Sequence, residues 1–166
     1  MIVRSFAPIA APDAEILILG SMPGVASLEA GQYYAHPRNA FWPIMGDLFG
    51  VEPHLPYAER VAALTSRRVA VWDVLQSCER AGSLDTAIRA EVPNDFAAFF
   101  AAHPGIRTVG LNGGKAAASF RKHAADFLPE QARVHLLPST SPAHAARSLG
   151  LKCALWRAAL LDQALP

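Results

Sequence analysis

Ile16-Leu17-Ile18-Leu19-Gly20, followed at once by Ser21-Met22-Pro23-Gly24, decides the architecture. Four consecutive aliphatic residues without polar alternation describe a short strand buried on both faces. The abrupt change to Ser, Met, Pro and Gly ends that strand in a tight turn. Three more runs share the form: Arg68–Trp72, Thr108–Leu111 and Val134–Leu137. Each is compact and apolar, and turn or polar residues follow it. Helical stretches separate them. Tyr57–Ser66 and Asp95–His103 carry apolar residues at helical spacing, and Lys115–Asp126 is rich in alanine. Leu149, Cys153, Trp156 and Leu160 fall on one stripe of a last helix. Gly50 closes a helix over Phe41–Phe49, and Pro104-Gly105 closes another. Strands alternating with helices predict an α/β fold. It is a three-layer α/β/α sandwich around a central, mainly parallel four-stranded sheet, with residues 1–166 forming a single domain. Function in such sheets sits at the C-terminal strand ends. The unusual residues cluster there: Gly20–Gly24, Trp72-Asp73, Asn112-Gly113-Gly114 and Pro138-Ser139-Thr140-Ser141-Pro142.

The chain has 166 residues, 52% hydrophobic and 17% charged, which is enough for a sizeable core and speaks against disorder. Its two cysteines, Cys78 and Cys153, exclude a disulfide scaffold, a four-cysteine zinc site and a four-cysteine iron–sulfur cluster. No apolar run approaches ~20 residues, so no membrane span is expected. The start of the chain lacks a signal-peptide layout, so a cytoplasmic location is expected. A net charge of +1 taken alone disfavours nucleic acid. The distribution says otherwise: no acid lies between Glu29 and Asp47, Asp95 and Asp126, or Glu130 and Asp162. Those windows hold Arg38, then Arg107, Lys115, Arg121 and Lys122, then Arg133, Arg147, Lys152 and Arg157. Convergence of these cations would make one basic face; chance clustering with ordinary helix-end cations explains the pattern equally well.

Several motifs admit two readings. The pentapeptide Gly20-Ser21-Met22-Pro23-Gly24 is a tight turn or a backbone cradle for a ligand. Tyr33, Tyr34, His36, Arg38, Asn39, Phe41 and Trp42 crowd aromatic and polar groups into ten residues. Phe41 and Trp42 are expected as core anchors of the next helix. Asn39 reads as a helix N-cap or as a neutral amide that positions a water. Asn112 reads as an Asx turn or as a base contact. GLNGGKAAAS fails the phosphate-binding P-loop pattern twice, at Val109 and Ala116. Ser139 or Ser141 with His144 and Asp73 would suit a Ser–His hydrolase, but no G-x-S-x-G elbow exists.

The run GSMPGVASLEAGQYYAHPRNAFW resembles motif 1 of the uracil-DNA glycosylase superfamily. It is most similar to the mismatch-specific uracil/thymine branch, whose motif reads roughly GINPG…AHP-x-N-x-FW. LPSTSPAHA resembles motif 2, usually NPS or HPS followed by a wedge. The resemblance covers most of the chain. It is specific in motif 1 and its AHPRNAFW extension, and weak in motif 2 alone. In that branch an Asn at the third position of GINPG aligns the attacking water; here Met22 stands there and cannot polarise water. Motif 2 opens on Leu137 where relatives carry Asn or His. Two apolar residues at the usual catalytic positions are similar to the hypoxanthine-DNA glycosylase family, family 6 of the superfamily. There the Asn of the HP-x-N segment takes over, which maps onto Asn39, and a polar Asn after the third strand maps onto Asn112.

The resemblance implies a deoxyinosine glycosylase acting on double-stranded DNA that contains a deaminated base. It implies no cofactor and no metal. No membrane association and a monomer are expected, and no lysine stands out as a nucleophile, so monofunctional hydrolysis is expected. Asn39 and Asn112 are the implied catalytic residues. Gly20, Ser21, Met22, Pro23 and Gly24 line the base, with Tyr34 as the first and Tyr33 as the second stacking candidate. His36, Arg38, Lys115, Ser139, Thr140, Ser141, Pro142, Ala143, His144 and Arg147 are expected on the DNA. Ser141 falls near the usual wedge position, and Pro142, Ala143 or Arg147 is expected to replace it. Uracil or mismatched thymine is the alternative substrate, and a catalytically weak DNA-binding relative is the alternative role.

Overall fold

The computed structural model describes residues 1–162. In chain order the elements are β1 (Ile2–Arg4), β2 (Ile16–Gly20), α1 (Val25–Ala30), α2 (Phe41–Phe49), α3 (Tyr57–Ser66), β3 (Val69–Asp73), β4 (Leu75–Glu79), β5 (Arg89–Pro93), α4 (Phe96–Ala102), β6 (Thr108–Asn112), α5 (Gly114–His123), β7 (Arg133–Leu137) and α6 (Leu149–Leu160). The main sheet is all parallel in the order β3-β2-β6-β7. Its strands alternate between two packed layers, as the period of two requires. Leu17 and Leu19 face a cluster with Phe96, Phe99 and Phe100 of α4 and Phe120 of α5. Ile18 faces the opposite cluster, with Phe41 and Ile44 of α2, Leu64 of α3 and Trp156 of α6. Phe41 and Trp42 are buried there, as expected of core anchors. The α/β/α sandwich and its four-stranded parallel sheet are therefore present.

The differences from the sequence expectations have local causes. Arg68 turns with φ of 61°, so the second strand starts at Val69 and runs on to Asp73. α5 stops at His123 because Ala124 leaves the helical region, and a 3-10 turn over Ala125–Phe127 follows. Leu149 is exposed; Trp156 and Leu160 carry the buried stripe of α6. A second sheet, order β1-β4-β5 and antiparallel, was not expected. Its strand β5 reads Arg-Ala-Glu-Val-Pro and is mostly exposed, so no apolar run announces it.

β2 sits inside the sheet with β3 on one side and β6 on the other. The chain leaves β2 for the β3 side and later returns through β6, so the loops beyond β2 and β6 part and leave a crevice between them. Gly20–Gly24 and Asn112 stand at its two walls.

Gly46 in α2 gives a test of packing against propensity. A Cβ there would lie 2.9 Å from the Val51 carbonyl oxygen and 3.3 Å from Pro53 Cγ. Helix propensity favours alanine by about 1 kcal/mol, while overpacking costs about 1–3 kcal/mol. Because the nearest atom is backbone, Gly46→Ala is expected to lower the urea midpoint rather than raise it.

Candidate active site

Asn112 ends β6 and ties three loops together. Its Nδ2 donates to the Tyr34 hydroxyl at 3.2 Å and to Thr140 Oγ1 at 3.0 Å, while its Oδ1 accepts the Thr140 N–H at 3.0 Å. It makes long-range contacts rather than an Asx turn. Thr140 is buried, and its carbonyl accepts the Ala40 N–H at 3.0 Å just before α2. Gly113 follows with φ of 94°, and a Cβ there would meet Ser139 Cβ at 3.1 Å. Glycine is required for this approach of the two loops.

These loops enclose a cavity of about 230 Å³. That is below the ~300–1,000 Å³ of pockets for drug-sized ligands, and suits one small planar group. Gly20–Gly24 forms one wall, and Ser139–His144 lines the β7 side. Tyr34 lies in it with φ of 55°, one ring face stacked on Phe41 at 4.1 Å. Burial, reinforced by the nearby Asp73 carboxyl, pushes its phenol well above the usual range, so it stays neutral. Tyr33 is more deeply buried and its hydroxyl donates to the Ala7 carbonyl at 2.9 Å, which fixes it as wall. A Cβ on Gly20 would reach 2.6 Å from Asp73 Oδ1 and 2.9 Å from the Tyr34 hydroxyl, so this strand end admits no side chain.

Asn39 lines the same cavity. Its Oδ1 accepts the Phe41 N–H at 2.9 Å, one residue ahead of the formal N-cap, Ala40. Both readings of Asn39 therefore have a geometric basis: one lone pair of its oxygen caps α2, and its amide remains at the cavity. His36 Nδ1 accepts the Arg38 N–H at 3.1 Å and its carbonyl accepts the Asn39 N–H at 2.9 Å, a turn that delivers Asn39. Met22 is 8% exposed and packs into an apolar cluster on one face of the sheet while also bordering the cavity. Ser139 accepts the Ser141 N–H and Ser141 the Ala143 N–H, so these hydroxyls shape their own loop.

The loop of residues 80–88 was not anticipated. Ser83, Leu84, Asp85 and Thr86 line the cavity from the minor-sheet side. Ser21 donates to Asp85 Oδ1 at 2.8 Å, the Val25 N–H donates to Ser83 at 2.8 Å, and buried Arg80 donates to the Pro23 carbonyl. Asp73, 3% exposed, sits at the cavity floor, and its Oδ2 has no partner among the described residues. Burial first, and Asp85 second, raise its carboxyl to about 7, while Arg80 pulls it back. The signal for Asp73 was its place at a strand end; nothing in the sequence marks the 80–88 loop.

The cations do not converge as one basic face. Lys115 pairs with Glu91, which also meets His123 at 3.1 Å, so its charge is offset away from the cavity. Arg107 pairs with Glu15 and Arg157 with Asp47. Buried Lys152 donates to the His144 carbonyl at 2.7 Å and so supports the motif-2 loop from behind. Arg133 begins β7, at the edge of the sheet opposite the site. Arg38 and Arg147 are exposed and remain on the site side.

A family model described as the uracil DNA glycosylase superfamily matches residues 7–163. The chain belongs to that superfamily. It is thus a DNA glycosylase, of a class that hydrolyses N-glycosyl bonds. Two curated relatives, each named hypoxanthine DNA glycosylase, are both 37% identical to it. The one from Methanosarcina barkeri aligns over 113 residues, 68% of this chain and 72% of its own length. The one from Methanosarcina acetivorans aligns over 117 residues, 70% and 74%. A solution NMR structure described as "a putative Uracil DNA glycosylase from Methanosarcina acetivorans" superposes with a TM-score of 0.80 at 32% identity, covering 95% of this chain and 98% of that one.

The Asp73 shift has a sign that can be measured. A carboxyl raised from 3.8 to about 7 binds its proton more tightly folded than unfolded. Stability from this group is therefore lost as pH rises from about 4 through 7. Urea midpoints at pH 5 and pH 8 should differ in that sense, and Asp73→Asn should remove its share of the difference. Equal pH slopes in both proteins would show Asp73 to be ionised throughout.

Proposed function

We propose that this glycosylase releases hypoxanthine from DNA by monofunctional hydrolysis of the N-glycosidic bond of an extruded deoxyinosine. The observation that carries the reading is where Met22 goes. Its apolar side chain joins the core where it borders the cavity, and the Ser21 hydroxyl beside it is engaged by Asp85, so the first loop offers no side-chain amide to a water. The side-chain amides lining the cavity are Asn39 and Asn112. The names of the two curated relatives supply the substrate.

Reaching C1′ inside a duplex requires the nucleotide to leave the stack, at a cost of a few kcal/mol. The base then lies beside Tyr34 under the Gly20–Gly24 loop. Water attacks C1′, the C1′–N9 bond breaks, and its electron pair leaves with the purine. A neutral amide is a poor base, so Asn39 acts by positioning: the second lone pair of Oδ1 and its N–H groups orient the water. Asn112 holds Tyr34 and the Thr140 loop at the base edge, where a donor stabilises the departing charge. Protonated Asp73 keeps the floor from repelling that charge. Double-stranded DNA carrying the deaminated base is the partner, with His36, Arg38, Arg147 and the Ser139–His144 loop at its backbone.

Labelled duplexes with a single hypoxanthine, uracil or xanthine, followed by alkaline cleavage, test this. Strand scission from hypoxanthine is expected. Release from uracil at a comparable rate would make it a uracil glycosylase, and binding without scission would mark a catalytically weak member. Asn39→Ala should slow single-turnover release by about a hundredfold or more while duplex affinity holds. Borohydride should trap no covalent adduct.

A further inference from the structure

An apolar side chain stands out in water at the cavity mouth. Leu84 is 62% exposed, yet it lines the cavity. Among the described residues, Val25 and Leu84 are the strongly exposed large apolar side chains in that lining. Exposure at Leu84 does not reflect a loose loop. The residue before it, Ser83, receives the Val25 N–H at 2.8 Å, and the residue after it, Asp85, receives the Ser21 hydroxyl at 2.8 Å. Its own carbonyl accepts the Ala87 N–H at 3.1 Å. The backbone is pinned on both sides, and the isobutyl group is held outward.

The opposite rim of the cavity presents no exposed aliphatic side chain of that length among the described lining residues. There Pro142 and Ala143 present a ring and a methyl group, on the β7 side of the sheet. β3, which leads into the minor sheet, is the other edge strand, so Leu84 and Pro142 stand on opposite walls. An extruded nucleotide leaves a gap that water fills poorly. A fixed aliphatic group brought into that gap loses its own water and covers the exposed faces of the neighbouring bases.

We propose that Leu84 enters the duplex from the minor-sheet side and occupies the stack position the nucleotide vacates. The inference rests on the glycosylase reading above, and it assigns the wedge to a loop outside both family motifs.

Single-turnover release of hypoxanthine is compared for the unaltered chain and Leu84→Ala, on a duplex with thymine opposite the lesion. A second duplex carries a pyrene nucleotide there, whose flat ring itself fills the vacated space. The variant should lose roughly tenfold or more on the first duplex and recover to within about twofold of the unaltered chain on the second. Leu84→Met, which keeps an apolar group of similar volume, should retain most of the rate on both. Equal losses on the two duplexes would give Leu84 a structural or pocket role and overturn the proposal, as would no loss on either. No release by the unaltered chain would instead remove the glycosylase reading, and the wedge with it.

Discussion

The Asn112 amide is the joint on which the site depends. Three hydrogen bonds from one side chain, each worth about 0.5–1.5 kcal/mol net, fasten β6 to Tyr34 and to the hydroxyl and N–H of Thr140. Thr140 then receives the Ala40 N–H, which sets where α2 starts and therefore where Asn39 points. Three segments far apart in sequence, around residues 34–40, 112 and 140, meet through the Asn112 and Thr140 side chains and the Thr140 backbone. None of them is rigid alone, because all are loops or loop ends. Fixing the amide fixes the cavity, the ring that borders it and the residue that faces it.

Charge is organised differently from what the acid-free windows suggest. Many of the cations in those windows are consumed by structure: Lys115 by Glu91, Arg107 by Glu15, Arg157 by Asp47, and Lys152 by a carbonyl behind the motif-2 loop. Arg38 and Arg147 are exposed, and among the described residues neither forms a salt bridge. The mouth is thus mildly basic, while the floor carries the neutral Asp73 carboxyl and the Asp85–Ser21 bond. While Asp73 keeps its proton it adds no negative charge to that of Asp85, whose carboxylate accepts the Ser21 hydroxyl.

Much of this was legible from residue types alone. β2 and β3 are continuous apolar runs, and such runs have few other homes in a chain of this length. β7 departs from that form: it is the edge strand, and Val134 and Leu136 are exposed rather than buried on both faces. β2, α2 and α3 begin and end where the sequence places them. The second sheet was not legible, because β5 is polar and β1 has three residues. Asn39 and Asn112 could be singled out as amides at helix and strand ends; the bonds of Asn39 are local, to Phe41 and His36, whereas those of Asn112 cross long stretches of sequence that no local pattern encodes. Lys115 illustrates the converse: its position in a basic window says nothing of Glu91, which reaches it from the minor sheet.

Met22 couples the core to the site. In the branch that motif 1 resembles, an asparagine stands at this place and serves the water. Here the side chain belongs to the core beside Leu19 and Trp72. An amide there would give up apolar packing against the cluster and add a polar group to the cavity wall. Met22 serves two surfaces at once, the core on one side and the cavity wall on the other, so a change of side chain there alters packing and pocket together.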